Sequence, residues 1–375
     1  MATRVRVGGL IGTFLSSLLW SLNLLLFLYT LLLYFLLYKL PTEHWSASLL
    51  LITMPVTWML HIGFVLSWSL GRSWRALLSA VSILAGFLFW PRTIAYNVPQ
   101  VPQTGHRPLK VLSFNTTGFD ADAYWKPRRL SPKARQVITW SVEQEAPIKC
   151  FQEFYSNTNI PGYRVIQRLR DAGYSYYASL PPKGTSQPDQ VIGVVTFSRY
   201  PILNQGGELL QHLNGVLWTD INAGGDTIRI INVHLHSMGI RVRKVFTQKE
   251  MEGVKSETKD ILSSLKEGFI ERREQVRIVE KYVAESPYPV IVTGDLNETP
   301  YSIVYERLRR RLRNAYEDGG RGFQFTLNRA PRFIRIDNQF YSAGLQVLDF
   351  VTYRDVPYSD HFPIMGTYVF EEVKN

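Results

Sequence analysis

The sequence predicts an α/β protein whose N-terminal part is a transmembrane helical region. Two observations support this prediction. The first ninety residues contain long apolar stretches without charge, whereas the remainder alternates short apolar strands with amphipathic helices. Such an alternation is typical of a two-layered or sandwiched α/β domain. A length of 375 residues leaves room for both parts.

The composition excludes several classes of protein. Hydrophobic residues make up 46% of the chain and charged residues 19%, which excludes a disordered protein. A single cysteine, Cys150, excludes an internal disulfide framework and a multi-cysteine zinc site. Because Cys150 lies in an apolar run, we expect a buried, unreactive thiol. The net charge of +11 lies mostly after residue 90 and suits polyanions, phosphorylated substrates or an anionic membrane surface.

Three apolar stretches predict membrane-spanning helices at residues 10–38, 45–70 and 76–90. The first two exceed the roughly 20 residues that cross a bilayer. The third is short, so an interfacial or half-buried helix is the alternative. The first stretch is too long for a cleaved signal peptide and no small-residue cleavage site follows it, which favours an uncleaved anchor.

Basic residues near the ends of the spans predict the orientation. With three spans and a cytoplasmic N-terminus, four basic residues face the cytoplasm and two lie outside. The cytoplasmic set is Arg4, Arg6, Arg72 and Arg75, and the outer set is Lys39 and Arg92. Everything after residue 90 is then extracytoplasmic, and the orientation reverses if the third segment does not cross.

The remaining chain divides into a Pro-rich linker at residues 91–108 and an α/β domain at residues 109–375. Apolar runs predict strands at residues 109–114, 148–152, 191–198, 227–235, 290–293, 333–341 and 362–370. Helices are predicted from Ser131 to about Glu145, over residues 271–285, and from Thr299-Pro300 onward. The chain has no phosphate-binding Walker loop, no GxGxxG and no GxSxG, which disfavours nucleotide-binding proteins and serine hydrolases.

Carboxylate, amide and imidazole side chains follow the ends of the predicted strands. They are Asn115, Glu153, His234, Asp295, Asn297, Asp337, Asp360 and His361. Each is ordinary by itself, as a turn, a cap or a solvated group. Strand ends that converge would assemble all of them into one polar site.

The motifs that carry these residues resemble the endonuclease/exonuclease/phosphatase family. In chain order they are Leu-Ser-Phe-Asn115, Gln-Glu153, Asn-Val-His234, Gly-Asp295-Leu-Asn297, Arg-Ile-Asp337 and Ser-Asp360-His361. The resemblance covers residues 109–375 and implies a four-layer α/β sandwich of two packed sheets flanked by helices. With its anchor, the whole chain is similar to membrane-anchored members from Bacteroidetes bacteria, which implies the bacterial inner membrane.

The resemblance also implies roles in the hydrolysis of a phosphate ester by activated water. Glu153, Asn115 and Asp360 would hold Mg²⁺, with Mn²⁺ as the alternative ion. Asp295 would orient or deprotonate the attacking water, and Asn297 would donate to a phosphate oxygen. His361, held by Asp337, would stabilise the transition state. His234 would contact a phosphate oxygen or assist the leaving group.

Several alternatives stay open at this point. The implied substrate is a phosphoester, which is a lipid headgroup, a nucleic acid or another phosphodiester or monoester. The partners are that substrate and the bilayer, with no obligate protein partner. A catalytically silent membrane scaffold with the same fold is the alternative function. Thr117 stands where abasic-site endonucleases of the family carry an acidic residue, which disfavours DNA repair. Asn338 replaces the aromatic residue that often follows the aspartate in relatives.

Two basic segments suggest further interactions. The stretch at residues 240–270 predicts a mobile lid or a membrane-facing helix, with a solvated helix pair as the alternative. The arginines at positions 307, 309, 310, 311 and 313 predict either a solvated helix face or docking onto anionic lipid or nucleic-acid phosphates. A transition-metal site that uses both His234 and His236 is a weaker hypothesis.

Overall fold

A computed structural model describes residues 2–40, 42–101, 107–125, 128–181, 188–237, 251–329, 333–356 and 358–371. The chain forms two compact units. One unit is Met1–Thr93 with Tyr301–Ile303, and the other is Ile94–Pro300 with Val304–Asn375. Residues 238–250, which hold part of the predicted lid, lie outside the described residues.

The first unit is helical. Its helices are α1 (Ala2–Lys39), α2 (Trp45–Leu51), α3 (Met54–Leu70) and α4 (Ala76–Ala85). The segments Gly12–Lys39 and Trp45–Leu70 are long and apolar enough to cross a membrane, whereas Ala76–Ala85 is shorter. The second segment is interrupted between α2 and α3, because Pro55 lies in the first turn of α3 and cannot continue the preceding helix.

A buried chain of polar side chains ties three of these helices together. Ser79 of α4 donates to Asn23 of α1 at 2.7 Å and lies 2.9 Å from His61 Nδ1 of α3. The other ring nitrogen of His61 lies 3.0 Å from the hydroxyl of Thr30 on α1. Hydrogen bonds of this kind stabilise helix packing in an apolar environment. The short third segment therefore belongs to the helical unit through Ser79.

The second unit contains two mixed six-stranded sheets. Sheet I has the order β10-β12-β9-β8-β7-β6 and sheet II the order β13-β14-β2-β3-β5-β4. The strands of sheet I are β6 (Ile202–Leu209), β7 (Gly215–Asn222), β8 (Thr227–His234), β9 (Val290–Asp295), β10 (Arg313–Asn314) and β12 (Asp337–Tyr341). The strands of sheet II are β2 (Leu109–Asn115), β3 (Ile148–Asn157), β4 (Tyr176–Leu180), β5 (Gln190–Ser198), β13 (Leu345–Thr352) and β14 (Ile364–Phe370).

Helices cover the outer face of each sheet. The covering helices are α5 (Pro132–Glu143), α6 (Val165–Asp171), α7 (Met251–Ala284) and α8 (Ile303–Arg309). A further short helix, α9 (Ala315–Gly319), packs Ala315 and Tyr316 into the core between the sheets. An aromatic-rich core joins α5 and α6 to sheet II, and a second core joins α7 and α8 to sheet I. A third apolar core lies between the sheets. The resulting order of helices, sheet II, sheet I and helices confirms the predicted four-layer α/β sandwich.

Strand direction explains why polar residues gather at one end of this sandwich. In sheet II, β2 and β3 are parallel, and β14 runs antiparallel to β2. In sheet I, β8 and β9 are parallel, and β12 runs antiparallel to β9. The carboxyl ends of the parallel pairs and the amino ends of the antiparallel strands therefore meet at the same edge of each sheet.

The structure differs from the sequence-based expectations in several elements. The predicted linker contains a short strand, β1 (Ile94–Tyr96), which pairs with β11 (Arg321–Phe323), while residues 102–106 lie outside the described residues. The strand predicted over 333–341 begins only at Asp337, and the helix predicted from Pro300 begins at Ile303. Strands β4, β6, β7, β10 and β13 were not predicted, because most of them alternate weakly or lack a long apolar run.

Three of the five clustered arginines pair with acidic residues of the same chain. Arg307 contacts Glu280, Arg309 lies 3.1 Å from Glu317, and Arg313 lies 3.1 Å from Asp318. These contacts favour the solvated helix face over docking, because guanidinium groups held by internal carboxylates are less available to external phosphates. Docking of the arginine cluster onto lipid or nucleic acid stays a prediction.

Candidate active site

Three predicted site residues lie side by side at the edge of sheet I. His234 ends β8, Asp295 ends β9 and Asp337 begins β12, and the strand registers place all three in one cross-strand row. Side chains opposite one another in a sheet project from the same face, and here that face is turned toward sheet II. All three are buried, with exposed fractions of 1–2%.

Gly294 makes this row possible. Its φ of +140° lies in the region that favours glycine, and a Cβ atom at this position would overlap the backbone of Val233 on the neighbouring strand. The glycine therefore lets β9 approach β8 closely just before Asp295. The Gly-Asp-Leu-Asn motif has a structural reason as well as a chemical one.

Glu153 reaches the site through a bulge in sheet II. The pairing of β3 with β5 shifts between Phe151 and Phe154, so that β3 contains one extra residue there. Glu153 has a φ of +48°, which is strained for a residue with a side chain. The bulge turns the half-buried carboxylate toward Asn115 at the end of β2.

Asn115 presents its amide nitrogen to two carboxylates. Nδ2 lies 3.2 Å from Glu153 Oε1 and 3.1 Å from Asp295 Oδ2. The backbone N–H of Thr117 donates to Asn115 Oδ1 at 3.1 Å, which fixes the identity of the two amide atoms because a backbone nitrogen can only donate. Asn115 thus links sheet II to sheet I, and its predicted role as an oxygen ligand for a metal stays a prediction.

His361 and Asp337 form a buried pair between the sheets. His361 Nδ1 lies 2.9 Å from Asp337 Oδ2, and Nε2 lies 3.7 Å from Asp295 Oδ2. Burial would lower the pKa of His361, but the surrounding carboxylates raise it to about 10. Burial raises the pKa of Asp337. We assign the shared proton to the imidazole, because Asp295 and Asp360 face the same ring.

Asp360 lies at the mouth of the site and is held by Thr117. The Thr117 hydroxyl donates to Asp360 Oδ1 and lies 2.9 Å from Ser359 Oγ. Burial would raise the pKa of Asp360, yet the charge of His361, the bond from Thr117 and the charge of Arg329 together lower it. Thr117, where an acidic residue is typical of abasic-site endonucleases, therefore orients Asp360.

His234 directs one ring nitrogen into the site. Nδ1 lies 3.0 Å from the carbonyl oxygen of Leu213, so Nδ1 carries a hydrogen and donates to that oxygen. Nε2 has no hydrogen-bond partner among the described residues and lies 3.6 Å from Glu153 Oε1 and 3.8 Å from Asp295 Oδ2. A buried polar atom in this position is poised for a ligand or a substrate oxygen.

Asn297 completes the set at the rim. Its backbone N–H donates to Asp295 Oδ1 at 2.8 Å, and its side-chain amide donates to the carbonyl oxygen of Leu235 at 3.0 Å. A φ of +51° turns the chain there. The structure thus joins all the predicted site residues through contacts of 4.0 Å or less.

The donor set fits a hard divalent cation. Asp295, Asp337 and His361 each offer an atom within 4.8 Å of the others, which is the spacing of a metal site. His361 is a poor ligand, however, because it is protonated and bonded to Asp337. Glu153 is the better candidate, since its carboxylate is only half-buried at the end of the bulge and since Mg²⁺ prefers carboxylate oxygens.

Sequence reasoning missed the residues that orient this set. Ser359 Oγ donates to the carbonyl oxygen of Asn115 at 2.8 Å, and Thr326 Oγ1 accepts from the backbone of Asp337 at 3.1 Å. Serine and threonine are too common for such roles to be read from a single sequence. The residue pattern gave no signal for Thr326, whereas Ser359 lies inside the recognised Ser-Asp-His motif.

The fold and this site are those of an α/β-sandwich hydrolase. A model of the endonuclease/exonuclease/phosphatase family matches residues 113–361, which is more than half of the chain, and the chain belongs to that family. The family membership supports hydrolysis of phosphoesters. A second family model, a domain of unknown function named DUF8431, matches residues 16–93. The comparison with curated proteins found no match.

The chain is similar to several solved structures at low sequence identity. A family member from Bacteroides vulgatus is 18% identical with a TM-score of 0.47, covering 71% of this chain and 100% of its own. One from Bacteroides thetaiotaomicron is 15% identical with a TM-score of 0.49, covering 71% and 99%. ANGEL2, described as a 2',3'-cyclic phosphatase, is 14% identical with a TM-score of 0.49, covering 73% and 98%.

Proposed function

We propose that this protein is a membrane-anchored, Mg²⁺-dependent phosphoesterase, with Mn²⁺ as the alternative ion. The observation that carries the proposal is the environment of Asp295 Oδ2. It lies within 3.1–3.8 Å of Asn115 Nδ2, His361 Nε2 and His234 Nε2. A buried carboxylate among two imidazoles and an amide can hold and activate a water beside a phosphoryl group.

Each side chain contributes to the reaction in a way that its geometry supports. Asp295 accepts a proton from the attacking water, and Asn115 keeps its carboxylate oriented. His361, protonated and held by Asp337, donates Nε2–H to a phosphoryl oxygen as negative charge develops. Glu153 and Asp360 would hold the cation, which supplies positive charge to the phosphoryl oxygens when bound.

His234 and Asn297 are the proposed substrate-binding residues. Nε2 of His234 faces the site from the side of β8, opposite His361, and contacts a phosphate oxygen or the leaving group. The Asn297 amide lies at the rim, where it donates to a phosphate oxygen with the N–H that Leu235 does not use. The site is accessible from the side of Glu153, Asn297 and Asp360, which are only half-buried.

The full-length protein in detergent tests the enzymatic activity. We expect Mg²⁺-dependent nicking of supercoiled plasmid or release of phosphorylated headgroups from bacterial lipid extract, and no product with Asp295→Asn. Nicking identifies a nuclease, and headgroup release identifies a lipid phosphoesterase. A folded protein that binds Mg²⁺ but yields neither product contradicts the proposal and favours the scaffold alternative.

The single cysteine allows a clean test of membrane orientation. Cys150 is fully buried, so an impermeant maleimide should label only an introduced cysteine. We expect Gln211→Cys, which lies on an exposed loop of the second unit, to be labelled in intact bacterial spheroplasts. Ser73→Cys, between the second and third apolar segments, should be labelled only after lysis. The reverse pattern would place the catalytic domain in the cytoplasm, and extraction by alkaline carbonate would contradict an integral anchor.

A further inference from the structure

A row of buried polar side chains lies directly beneath the candidate active site. In sheet I, Asn232, Thr293 and Gln339 each lie two residues from a member of the row formed by His234, Asp295 and Asp337, and they are cross-strand neighbours. Residues two apart in a strand share a face, so this row also faces sheet II. We name Asn232, Thr293 and Gln339, together with Ser113 and Gln152 of sheet II, the buried polar layer.

Asn232 and Gln152 join the two sheets within this layer. Gln152 Nε2 donates to Asn232 Oδ1 at 2.7 Å and lies 3.2 Å from Ser113 Oγ. Asn232 Nδ2 in turn lies 3.2 Å from the carbonyl oxygen of Phe151 and 3.0 Å from that of Val195. Phe151 and Val195 form the last regular pair before the bulge that carries Glu153. Asn232 of sheet I therefore bonds to the backbone of both β3 and β5 in sheet II, directly before the bulge.

Gln339 makes a second connection across the sheets. Its Nε2 donates to the carbonyl oxygen of Val111 at 2.9 Å, and its Oε1 accepts from the hydroxyl of Tyr368 at 2.6 Å. Gly366 leaves the space for this amide, since a Cβ atom there would overlap Gln339 Oε1. The two amide connections lie under opposite sides of the site.

The polar side chains of this layer are unusual for the interior between two packed sheets. The space between the sheets is otherwise filled by apolar side chains, including Val111, Ile230 and Ile291. Among the described residues, Gln152 Oε1 and Thr293 Oγ1 have no hydrogen-bond partner although both residues are fully buried. Partly satisfied polar groups stabilise a core less than apolar ones of the same shape. Stability alone therefore does not explain the layer.

We propose that Gln152 and Asn232 are positioning residues that set the distance between Glu153 on sheet II and His234 and Asp295 on sheet I. Gln152 directly precedes Glu153, whose side-chain direction depends on the strained bulge. Asn232 lies two residues before His234 on the same face. The bond between the two amides couples the bulge to the row of sheet I. This inference rests on the proposed function, because it concerns the alignment of that catalytic site.

The test compares variants of the full-length protein that remove the amide without removing volume. Gln152→Met removes the bond between the two amides but keeps the bonds of Asn232 to the backbone of sheet II, so this variant should fold. Asn232→Leu removes the bond between the amides and the bonds to the backbone. The matched control is Thr219→Val, because Thr219 of β7 is fully buried and its hydroxyl has no partner among the described residues. The melting temperature, kcat, KM and the Mg²⁺ Kd by calorimetry are measured for each.

We expect Gln152→Met to fold but to melt below the control, because the buried Asn232 Oδ1 loses its donor, while kcat falls about 10- to 100-fold and the Mg²⁺ Kd rises by a comparable factor. KM should change less than kcat, because the substrate-binding Asn297 is held by Leu235 and Asp295 and contacts neither amide. The double variant Gln152→Met/Asn232→Leu should lose no more kcat than the worse single variant, because both changes break the same bond between the two amides. A folded Gln152→Met protein with wild-type kcat and Mg²⁺ Kd would overturn the proposal, as would a double variant that loses the product of both effects.

The positioning role of Gln152 and Asn232 can be tested separately from the proposed enzymatic function. If the wild-type protein turns over no phosphoester, the enzymatic proposal fails, while the Mg²⁺ Kd and a crystal structure of Gln152→Met still decide the positioning role. An unchanged separation between Glu153 and His234 in that structure would contradict it.

Discussion

Asp337 of sheet I and His361, which lies just before a strand of sheet II, meet at 2.9 Å in the interior of the sandwich. Asp337 begins β12 of sheet I, whereas His361 precedes β14 of sheet II. The pair therefore both aligns the sheets and keeps the imidazole charged. The contact between Asp337 and His361 therefore belongs both to the candidate active site and to the packing of the domain.

Removal of the charge of Asp337 should lower the pKa of His361. We expect Asp337→Asn to move the pKa from about 10 toward the ordinary value of 6.5, because the nearest carboxylate is lost. The loss of a protonated, oriented imidazole should reduce kcat at pH 8 by about 100-fold. NMR titration of histidine-labelled protein measures the pKa, since only seven histidines contribute signals. Asp349→Asn, which removes the same charge from β13, should leave both values unchanged.

Glu153 should determine metal affinity. We expect Glu153→Gln to weaken Mg²⁺ binding at least about 10-fold, because a neutral amide is a poorer ligand for a hard cation than a carboxylate. Calorimetry on the detergent-solubilised protein measures the change. Glu145→Gln serves as the control, since Glu145 is exposed and lies outside the site. Equal Mg²⁺ affinities in the two variants would show that Glu153 is not a ligand.

Gly294 should be sensitive to a single methyl group. We expect Gly294→Ala to lower the free energy of unfolding by about 1–3 kcal/mol, because the residue has a φ of +140° and the methyl group would overlap Val233. Chemical denaturation measures this change. Gly224→Ala is the matched control, since Gly224 also has a positive φ, of +87°, but has open space around it. The difference between the variants isolates the contact with Val233, and equal losses would contradict it.

The buried Lys149 should make stability depend on pH. Its amine donates to the carbonyl oxygens of Ser141 and Val142 in the last turn of α5, at 2.8 and 2.9 Å. Burial and the nearby charge of Arg199 lower its pKa to about 7, against 10.5 in the unfolded chain. Between these values the unfolded chain binds more protons, so this group makes the folded protein more stable as pH rises.

Comparison with Lys149→Met isolates that contribution. The free energy of unfolding of the wild type, relative to the variant, should increase between pH 7 and 10 with a slope of at most about 1.4 kcal/mol per pH unit. Denaturant titrations at pH 6.5, 8 and 9.5 measure the slope. Parallel pH profiles for the two proteins would mean that Lys149 stays charged, held by the carbonyls and by Tyr174.

Local patterns predicted the strands that carry the site. The runs before Asn115, His234 and Asp295 are apolar, bounded by turns and located within one or two residues of the observed strands. Burial of the Cys150 thiol, whose pKa rises to about 12, also agrees with the prediction from its apolar run. Strand β6 was not predicted, because it lies at the edge of sheet I and buries none of its residues fully.

The role of Glu153 within β3 could not be derived from local pattern. The prediction ended the strand at Gln152, whereas the observed strand continues to Asn157 through a bulge. A bulge depends on the partner strand, which single-sequence patterns do not specify. For the same reason, the contact between Gln152 and Asn232 could not be predicted from local pattern, since their bond joins residues of two different sheets.

The sequence by itself determined the membrane-compatible helices, the alternation of strands and helices, and the residue types at the strand ends, because all three depend on neighbours along the chain. Only the tertiary structure decided which atoms meet. The amide nitrogen of Asn115 faces Asp295, the proton of the His361–Asp337 pair resides on the imidazole, and Thr117 orients Asp360. These contacts join residues far apart in sequence, and their geometry follows from the packing of two sheets.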